Sequence, residues 1–394
     1  MKTRTNITDT IWYVGADDVD LDLFESQYAV PRGISYNSYL IMDAKVAIMD
    51  TVDWRRAAEW WSNITEALDG RRPDYLIVQH VEPDHAGCIG EVVERYPEVQ
   101  VVASARAAQI LAQFFRYPSL IDRIMVVKEG DMLALGHHTL QFLMAPMVHW
   151  PEVMTTYDAT DKVLFSADAF GTFGVLGDHI IDSAVGEVWP SEARRYYYNI
   201  CGKYGQPVQT LLKKVAVLDV QRICPLHGPV LADNLTYYTG LYDKWSRYEA
   251  ESDGALIAYA SIHGSTARVA DVMAGMLRAK GVPEVQLIDL SRCDMSVAVT
   301  EAFRMARLVV AASSYDASVF PPMYDFLHHL RLKGYQNRRV GIIENGSWAP
   351  AAGRVMRELL AQMKGVSIVE QMVTIHSTLQ PADMPAMKAL VEAL

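Results

Sequence analysis

The chain has 394 residues, 51% hydrophobic and 21% charged, a balance that excludes disordered and fibrous classes and predicts two or three folded domains. Lys and Arg number 36 against 47 Asp and Glu, a net charge of −11, so nothing favours general electrostatic binding to nucleic acid or to an anionic membrane. The 4 cysteines form no CxxC pair, which argues against a zinc ribbon, a rubredoxin-type iron site or a disulfide scaffold, and the absence of an apolar leader or a run of about 20 apolar residues predicts a cytoplasmic protein.

In chain order, the runs Tyr39–Met42, Val46–Met49, Tyr75–Val78, Val99–Ala103, Ile124–Val127, Thr139–Leu143 and Val163–Ser166 read as strands. Several follow one another with no helix between, which predicts mixed sheets in a sandwich. From Ser191 to about Glu251 the pattern turns helical around a short strand at Arg222–Cys224, and Asp243–Asp253 reads as a helix running into a linker. A boundary near residue 252 divides the chain into domains 1–251 and 252–394. Beyond it Ala255–Ala260, Val285–Leu290, Leu308–Ala312, Val340–Ile343 and Ser367–Val373 alternate with helical patterns near 266–280, 298–306, 322–333, 350–363 and 382–393. Strands each followed by a helix predict a doubly wound parallel sheet.

The segment Gln79-His80-Val81-Glu82-Pro83-Asp84-His85-Ala86-Gly87 follows directly on an apolar strand. If it is extended, His80, Glu82 and Asp84 point the same way, because side chains alternate with period two. His149, Asp168 and His227 sit in further loops at strand ends. Taken singly each reads as an ordinary loop or capping residue. Two histidines and two carboxylates packed at one strand end are different, because burying them without a cation is costly. The whole set suffices for two cations with one bridging carboxylate, and its oxygen donors without thiolate favour iron over structural zinc. His137, His138, His179, His328 and His329 read as polar faces of turns or helices.

The order His-x-Glu-x-Asp-His, then His149, Asp168 and His227, resembles the flavodiiron proteins (A-type flavoproteins), whose N-terminal part is a metallo-β-lactamase-like αββα sandwich. Glu82 stands where hydrolases of that fold usually carry histidine. The resemblance implies that His80, Glu82 and His149 hold one iron, that Asp84 and His227 hold the other, and that Asp168 bridges them. The position of His85 is a ligand in some members and swings out in others. Pro31–Tyr39 looks like the family's early strand entry. Leu23-Phe24-Glu25 departs from it, since several relatives carry a histidine just after the Leu-Phe.

In the second domain, strand Ala255–Ala260 runs into Ser261-Ile262-His263-Gly264-Ser265-Thr266 and then a helix. Hydroxyls and unpaired N–H groups at a helix start suit a monophosphate, and there is no lysine to meet a triphosphate. Two later loops, Ser313-Ser314-Tyr315-Asp316-Ala317-Ser318 and Glu344-Asn345-Gly346-Ser347-Trp348-Ala349, lie at the carboxyl edge of the same sheet, each bringing an aromatic beside small polar residues. Together the three loops resemble a flavodoxin-like FMN site, with His263 and Ser313 as departures.

What the resemblance implies is a flavodiiron oxidoreductase that reduces dioxygen to water, nitric oxide to nitrous oxide, or both, using FMN and two non-haem irons per chain. It further implies a head-to-tail homodimer or dimer of dimers. With no CxxC pair for a fused rubredoxin, the expected electron donor is separate: a rubredoxin, a rubredoxin-like reductase or a reduced deazaflavin. The competing reading is a dizinc hydrolase of the metallo-β-lactamase fold with a regulatory flavodoxin-like domain.

Overall fold

A computed structural model describes residues 5–115, 118–181 and 188–394. The chain forms two compact units, Met1–Asp243 and Lys244–Leu394. The second unit therefore starts ahead of the break at 252 read from the sequence. Residues 244–251 pack with it: Glu251 N–H donates to the Arg304 carbonyl at 2.9 Å, and Arg338 Nη1 to the Tyr248 carbonyl at 2.6 Å.

In the first unit a 7-stranded sheet runs in the order Thr5–Asn6, Ile11–Tyr13, Tyr39–Ile41, Ala47–Met49, Tyr75–Val78, Gln100–Ser104, Ile124–Val127. Its first strands pair antiparallel and its last strands parallel. A 5-stranded sheet, Met132–Ala134, Thr139–Met144, Met154–Asp158, Val163–Phe165 and Arg222–Cys224, faces it. One apolar cluster joins Ile11, Tyr39, Ile77 and Val102 of the first sheet to Phe142, Met154, Phe165 and Cys224 of the second, so the core lies between the sheets. Helices cover them. Ala57–Leu68 buries Trp60, Ile64, Ala67 and Leu68 at helical spacing, and Ala105–Phe114 is capped by Ser104, whose hydroxyl accepts from the Ala107 N–H.

The second unit is a parallel sheet in the order Val285–Asp289, Ser252–Ala260, Met305–Tyr315, Arg339–Asn345, Ser367–Ile375. Helices Ser265–Ala279, Met295–Arg304, Pro321–Leu332, Ala352–Leu360 and Met384–Ala393 connect and cover the strands. The order reverses beside the strand Ser252–Ala260, and an open α/β sheet binds ligands at the carboxyl end of such a switch point.

Short strands such as Ile11–Tyr13 and Met132–Ala134 were not anticipated, and two further elements differ from the sequence reading. The strand read as Leu308–Ala312 continues to Tyr315, because Ser314 and Tyr315 pair with Val319 and Ser318 in a tight hairpin. Met154–Asp158 was not anticipated as a strand. Its polar residues lie buried on both faces, so it lacks the apolar alternation that marks a half-exposed strand.

Candidate functional site

Loops at the edge of the two sheets in the first unit bring the histidines and carboxylates together. His80 follows the buried strand Tyr75–Val78, and its loop is fixed from behind. The fully buried Asp50 accepts the Gln79 N–H at 2.7 Å and the Gln79 side-chain amide at 2.8 Å. Burial pushes the Asp50 carboxyl up to about 6, against the pull of those Gln79 donors. The loop does not stay extended, as the alternation argument required. Glu82 caps a turn of helix that starts at Pro83, and this turn sends Asp84 and His85 away from His80 and Glu82. Thr51 Oγ1 ties down the turn by donating to the His85 carbonyl at 2.6 Å. Gly87 closes it where a Cβ would meet the Trp54 nitrogen at 2.7 Å and the Val52 oxygen at 2.8 Å.

His227 follows the strand Arg222–Cys224. Its loop rests on the segment read as an early strand entry: Asn37 Nδ2 donates to the carbonyls of Pro225 at 2.8 Å and Gly228 at 2.7 Å. His227 Nδ1 donates to the Ser35 carbonyl at 2.7 Å. Gly228 has φ +80, and a Cβ there would lie 2.0 Å from Thr172 Cγ2, so only glycine fits.

Two clusters result, His80, Glu82, His149 and Asp168, and next to it Asp84, His85 and His227. Asp168 faces both. Its Oδ2 lies 3.1 Å from His149 Nε2 and 3.4 Å from His80 Nε2, and its Oδ1 lies 3.2 Å from His85 Nε2 and 4.0 Å from His227 Nε2. Glu82 Oε2 lies 3.1 Å from His149 and 3.2 Å from His80, while Asp84 Oδ2 lies 3.2 Å from His227 and 3.4 Å from His85. His85 thus faces the site. Both carboxylate oxygens of Asp84, Oδ1 of Asp168, both ring nitrogens of His85 and Nε2 of His227 are buried without a hydrogen-bond partner. Each such atom costs about 1–3 kcal/mol unless something meets it. Cations coordinated by these nitrogens and oxygens would offset that cost, so the donor set fits a pair of metal ions.

Two groups near the site were not legible as functional in the sequence. Glu152, buried, accepts from His80 Nδ1 at 2.7 Å. Its place in His149-Trp150-Pro151-Glu152 was the available signal. Tyr196 is fully buried, its hydroxyl has no hydrogen-bond partner, and its ring lies 5.6 Å from that of His227. A run of three tyrosines on a helix gave no local sign of this. His138, read as a polar face, is instead buried in a closed network: Nδ1 meets Asp158 at 3.0 Å and Nε2 meets Thr10 Oγ1 at 2.8 Å.

Burial would raise Asp168, but the imidazoles of His80, His149 and His85 hold its carboxyl well below the usual range. His149 is pushed up to about 9, since hydrogen bonds to Asp168 and Glu82 outweigh the burial that opposes its charged form. A histidine raised in this way contributes stability that is fully present below about 6.5 and lost as pH rises through its folded value. The metal-free protein is expected to lose about 3 kcal/mol from this contact between roughly pH 6.5 and 9, seen as a falling denaturant midpoint. Metal affinity should rise over the same range as protons leave the ligand nitrogens. A metal-free midpoint that climbs across that window would contradict this assignment.

The second unit carries a cavity of about 750 Å³ at the carboxyl end of its sheet. Ser261, His263, Ser265 and Thr266, then Ser313, Ser314, Tyr315, Asp316 and Ala317, then Asn345, Gly346, Ser347 and Trp348 all line it. Of the residues anticipated, Gly264 alone is not in its lining; it caps the helix Ser265–Ala279 in a left-handed conformation, its N–H donating to Ser261 Oγ at 3.1 Å. Ser377, not anticipated, joins the lining. The hub is Thr266, whose hydroxyl pairs with Ser313 Oγ at 3.0 Å and accepts from Asn345 Nδ2 at 3.4 Å. The lining includes no Lys or Arg, so an anion there would be met by N–H and hydroxyl groups and by the helix start. Trp348 is 92% exposed and Tyr315 45%, two aromatic faces unburied beside a cavity wide enough for a planar ring.

The profile of the ODP family of β-lactamase-fold proteins matches residues 34–228. An uncharacterized protein of Methanocaldococcus jannaschii is 31% identical over 324 residues, 82% of this chain and 81% of that protein. An anaerobic nitric oxide reductase flavorubredoxin of Escherichia coli is 30% identical over 352 residues, 88% of this chain and 73% of the relative. Among solved structures, a rubredoxin oxygen:oxidoreductase from Desulfovibrio gigas superposes with a TM-score of 0.92 at 27% identity, covering 99% of this chain and 97% of that one. Likeness over nearly the whole length, spanning both units, makes this an oxidoreductase-class chain that belongs to the flavodiiron protein family.

Proposed function

We propose that the chain reduces dioxygen to water, nitric oxide to nitrous oxide, or both, at a non-haem diiron site in domain 1–251, with electrons relayed through FMN in domain 252–394. The observation that carries this reading is Asp168, a buried carboxylate with one oxygen toward each of two histidine–carboxylate clusters. In this reading His80, Glu82 and His149 hold one iron and Asp84, His85 and His227 the other. When bound, FMN would supply electrons and the iron pair would supply the redox chemistry that reduces a diatomic oxidant.

The chain's own residues supply the rest. Tyr196 brings a buried O–H to the side of the site at His227, and burial and the nearby charges of Asp168, Asp84 and Glu82 keep that hydroxyl protonated. In this reading it donates a hydrogen bond to oxygen of the bound substrate. Tyr196→Phe is expected to lower turnover about tenfold with iron and flavin contents unchanged, the effect of losing one hydrogen bond. An unchanged turnover would remove Tyr196 from this role. A cavity of about 200 Å³ opens onto Glu82 and Asp84 past Tyr36, Asp53 and Arg55. Arg55 Nη2 donates to the Tyr36 hydroxyl at 3.1 Å and to Asp53 Oδ2 at 2.8 Å, which sets polar groups along a path for the protons both reductions consume.

The electron donor in this reading is a separate rubredoxin, rubredoxin-like reductase or reduced deazaflavin, and the assembly is a head-to-tail homodimer or a dimer of dimers. Purified protein should be yellow with about two irons per chain, and stopped-flow mixing of the reduced protein with O2 and with NO should reoxidise the flavin with at least one of them. A colourless zinc protein that hydrolyses esters would overturn the proposal.

A further inference from the structure

The two clusters joined by Asp168 have matching donor sets, two imidazoles and one carboxylate each. What stands behind His80 has no counterpart in the second cluster. His80 Nδ1 lies 2.7 Å from Glu152 Oε1, and both side chains are 0% exposed. The same Glu152 oxygen accepts the Val81 N–H at 3.1 Å, while Oε2 is buried with no partner. Behind the other cluster, among the described residues, His227 Nδ1 meets the neutral Ser35 carbonyl, at 2.7 Å, and His85 Nδ1 is buried without a partner.

From this we infer that Glu152 makes the two metal positions unequal: the one framed by His80, Glu82 and His149 fills first and holds its ion more tightly. A carboxylate on Nδ1 fixes the tautomer that presents the Nε2 lone pair, locks the ring and raises its basicity. The Ser35 carbonyl also fixes a tautomer, but it adds no charge. Glu152 further places a buried negative charge one imidazole away from the ion, in an interior that screens it poorly. A cation there also offsets a carboxylate that is otherwise half unmatched. His85, with no partner for its Nδ1 among the described residues, gives the second position an imidazole whose tautomer nothing fixes. Glu152 is thus a positioning residue, acting through His80.

The inference rests on the two-ion reading, and titration of the metal-free full-length chain with Co(II), followed by its visible spectrum and by chelator competition, separates the two. Wild type should take up two ions stepwise, the first at least tenfold tighter. Asp84→Asn should keep the tight step and lose the weak one, and Glu82→Gln should do the reverse. Glu152→Gln should weaken the tight step by roughly 10- to 100-fold, the usual effect of removing such a partner, and Glu152→Asp should recover part of it. Circular dichroism of each variant checks its fold, and the wild-type and Asp84→Asn titrations stand even if Glu152→Gln does not fold. Equal affinities in wild type, retention of only the weak step in Asp84→Asn, or an unchanged first step in folded Glu152→Gln would each overturn the inference. A wild-type chain that binds fewer than two ions would instead overturn the two-ion reading itself.

Discussion

Asp168→Asn is expected to abolish oxidant reduction, lowering turnover at least about a thousandfold, the scale on which loss of a central electrostatic group registers. Iron content should fall from about two per chain to below one, with the flavin retained. Asparagine keeps the volume and one oxygen but removes the charge that four imidazoles approach at 3.1, 3.2, 3.4 and 4.0 Å. It also brings an amide whose N–H groups face nitrogens that must act as donors to metal. Without that charge, the histidines now drawn toward Asp168 lose their common partner, and the two clusters lose the group they share. Elemental analysis together with an oxygen-electrode assay checks the result. Normal iron with turnover within tenfold of wild type would remove Asp168 from the centre.

Asn345→Ala should produce the complementary phenotype, a chain with full iron and little flavin. Asn345 is buried; its Nδ2 donates to Thr266 Oγ1 at 3.4 Å and to the Ser377 carbonyl at 3.1 Å, and its Oδ1 accepts the Ser377 N–H at 3.1 Å. One side chain therefore joins the loop at the helix start, the loop after Arg339–Asn345 and the segment at Ser377. Leaving the Ser377 groups unmatched costs about 1–3 kcal/mol each, and a cavity whose walls drift apart binds its ligand less well. FMN affinity should fall by roughly 100-fold, at about 1.4 kcal/mol per factor of ten, read by fluorescence recovery on adding FMN to the flavin-free chain. Affinity within a factor of three of wild type would show that the network is not needed for binding.

The contrast between these two sites explains how much was legible in advance. Candidate ligands such as His80 and His227 were visible because each follows a strand end, and strand ends in layered α/β folds converge on one edge. The three cavity loops were visible for the same reason. Glu152 and Tyr196 were harder, because their meaning depends on what packs against them. Tyr196 acquires a role only once His227, distant in sequence, reaches its ring. The alternation argument, which put His80, Glu82 and Asp84 on one side of an extended loop, failed for a local reason: after the Glu82 cap, Pro83 starts a helical turn, and the clusters divide as the resemblance implied. Met154–Asp158 escaped because its two buried faces carry threonines in place of alternating apolar residues. At the hairpin, Asp316 and Ala317 both have positive φ, 49° and 56°, with no glycine to announce the turn that such geometry favours.

The edge on which the ligands meet has a bearing on how the protein is made. His80 follows a strand of the seven-stranded sheet and Asp168 and His227 follow strands of the five-stranded one, so neither sheet holds a complete pocket alone. A nascent chain has no pocket until His227 has emerged from the ribosome and both sheets have packed, since the parts of a domain fold together as a unit. In the proposed reading, metal uptake would therefore follow the packing of both sheets and not accompany synthesis of the first one.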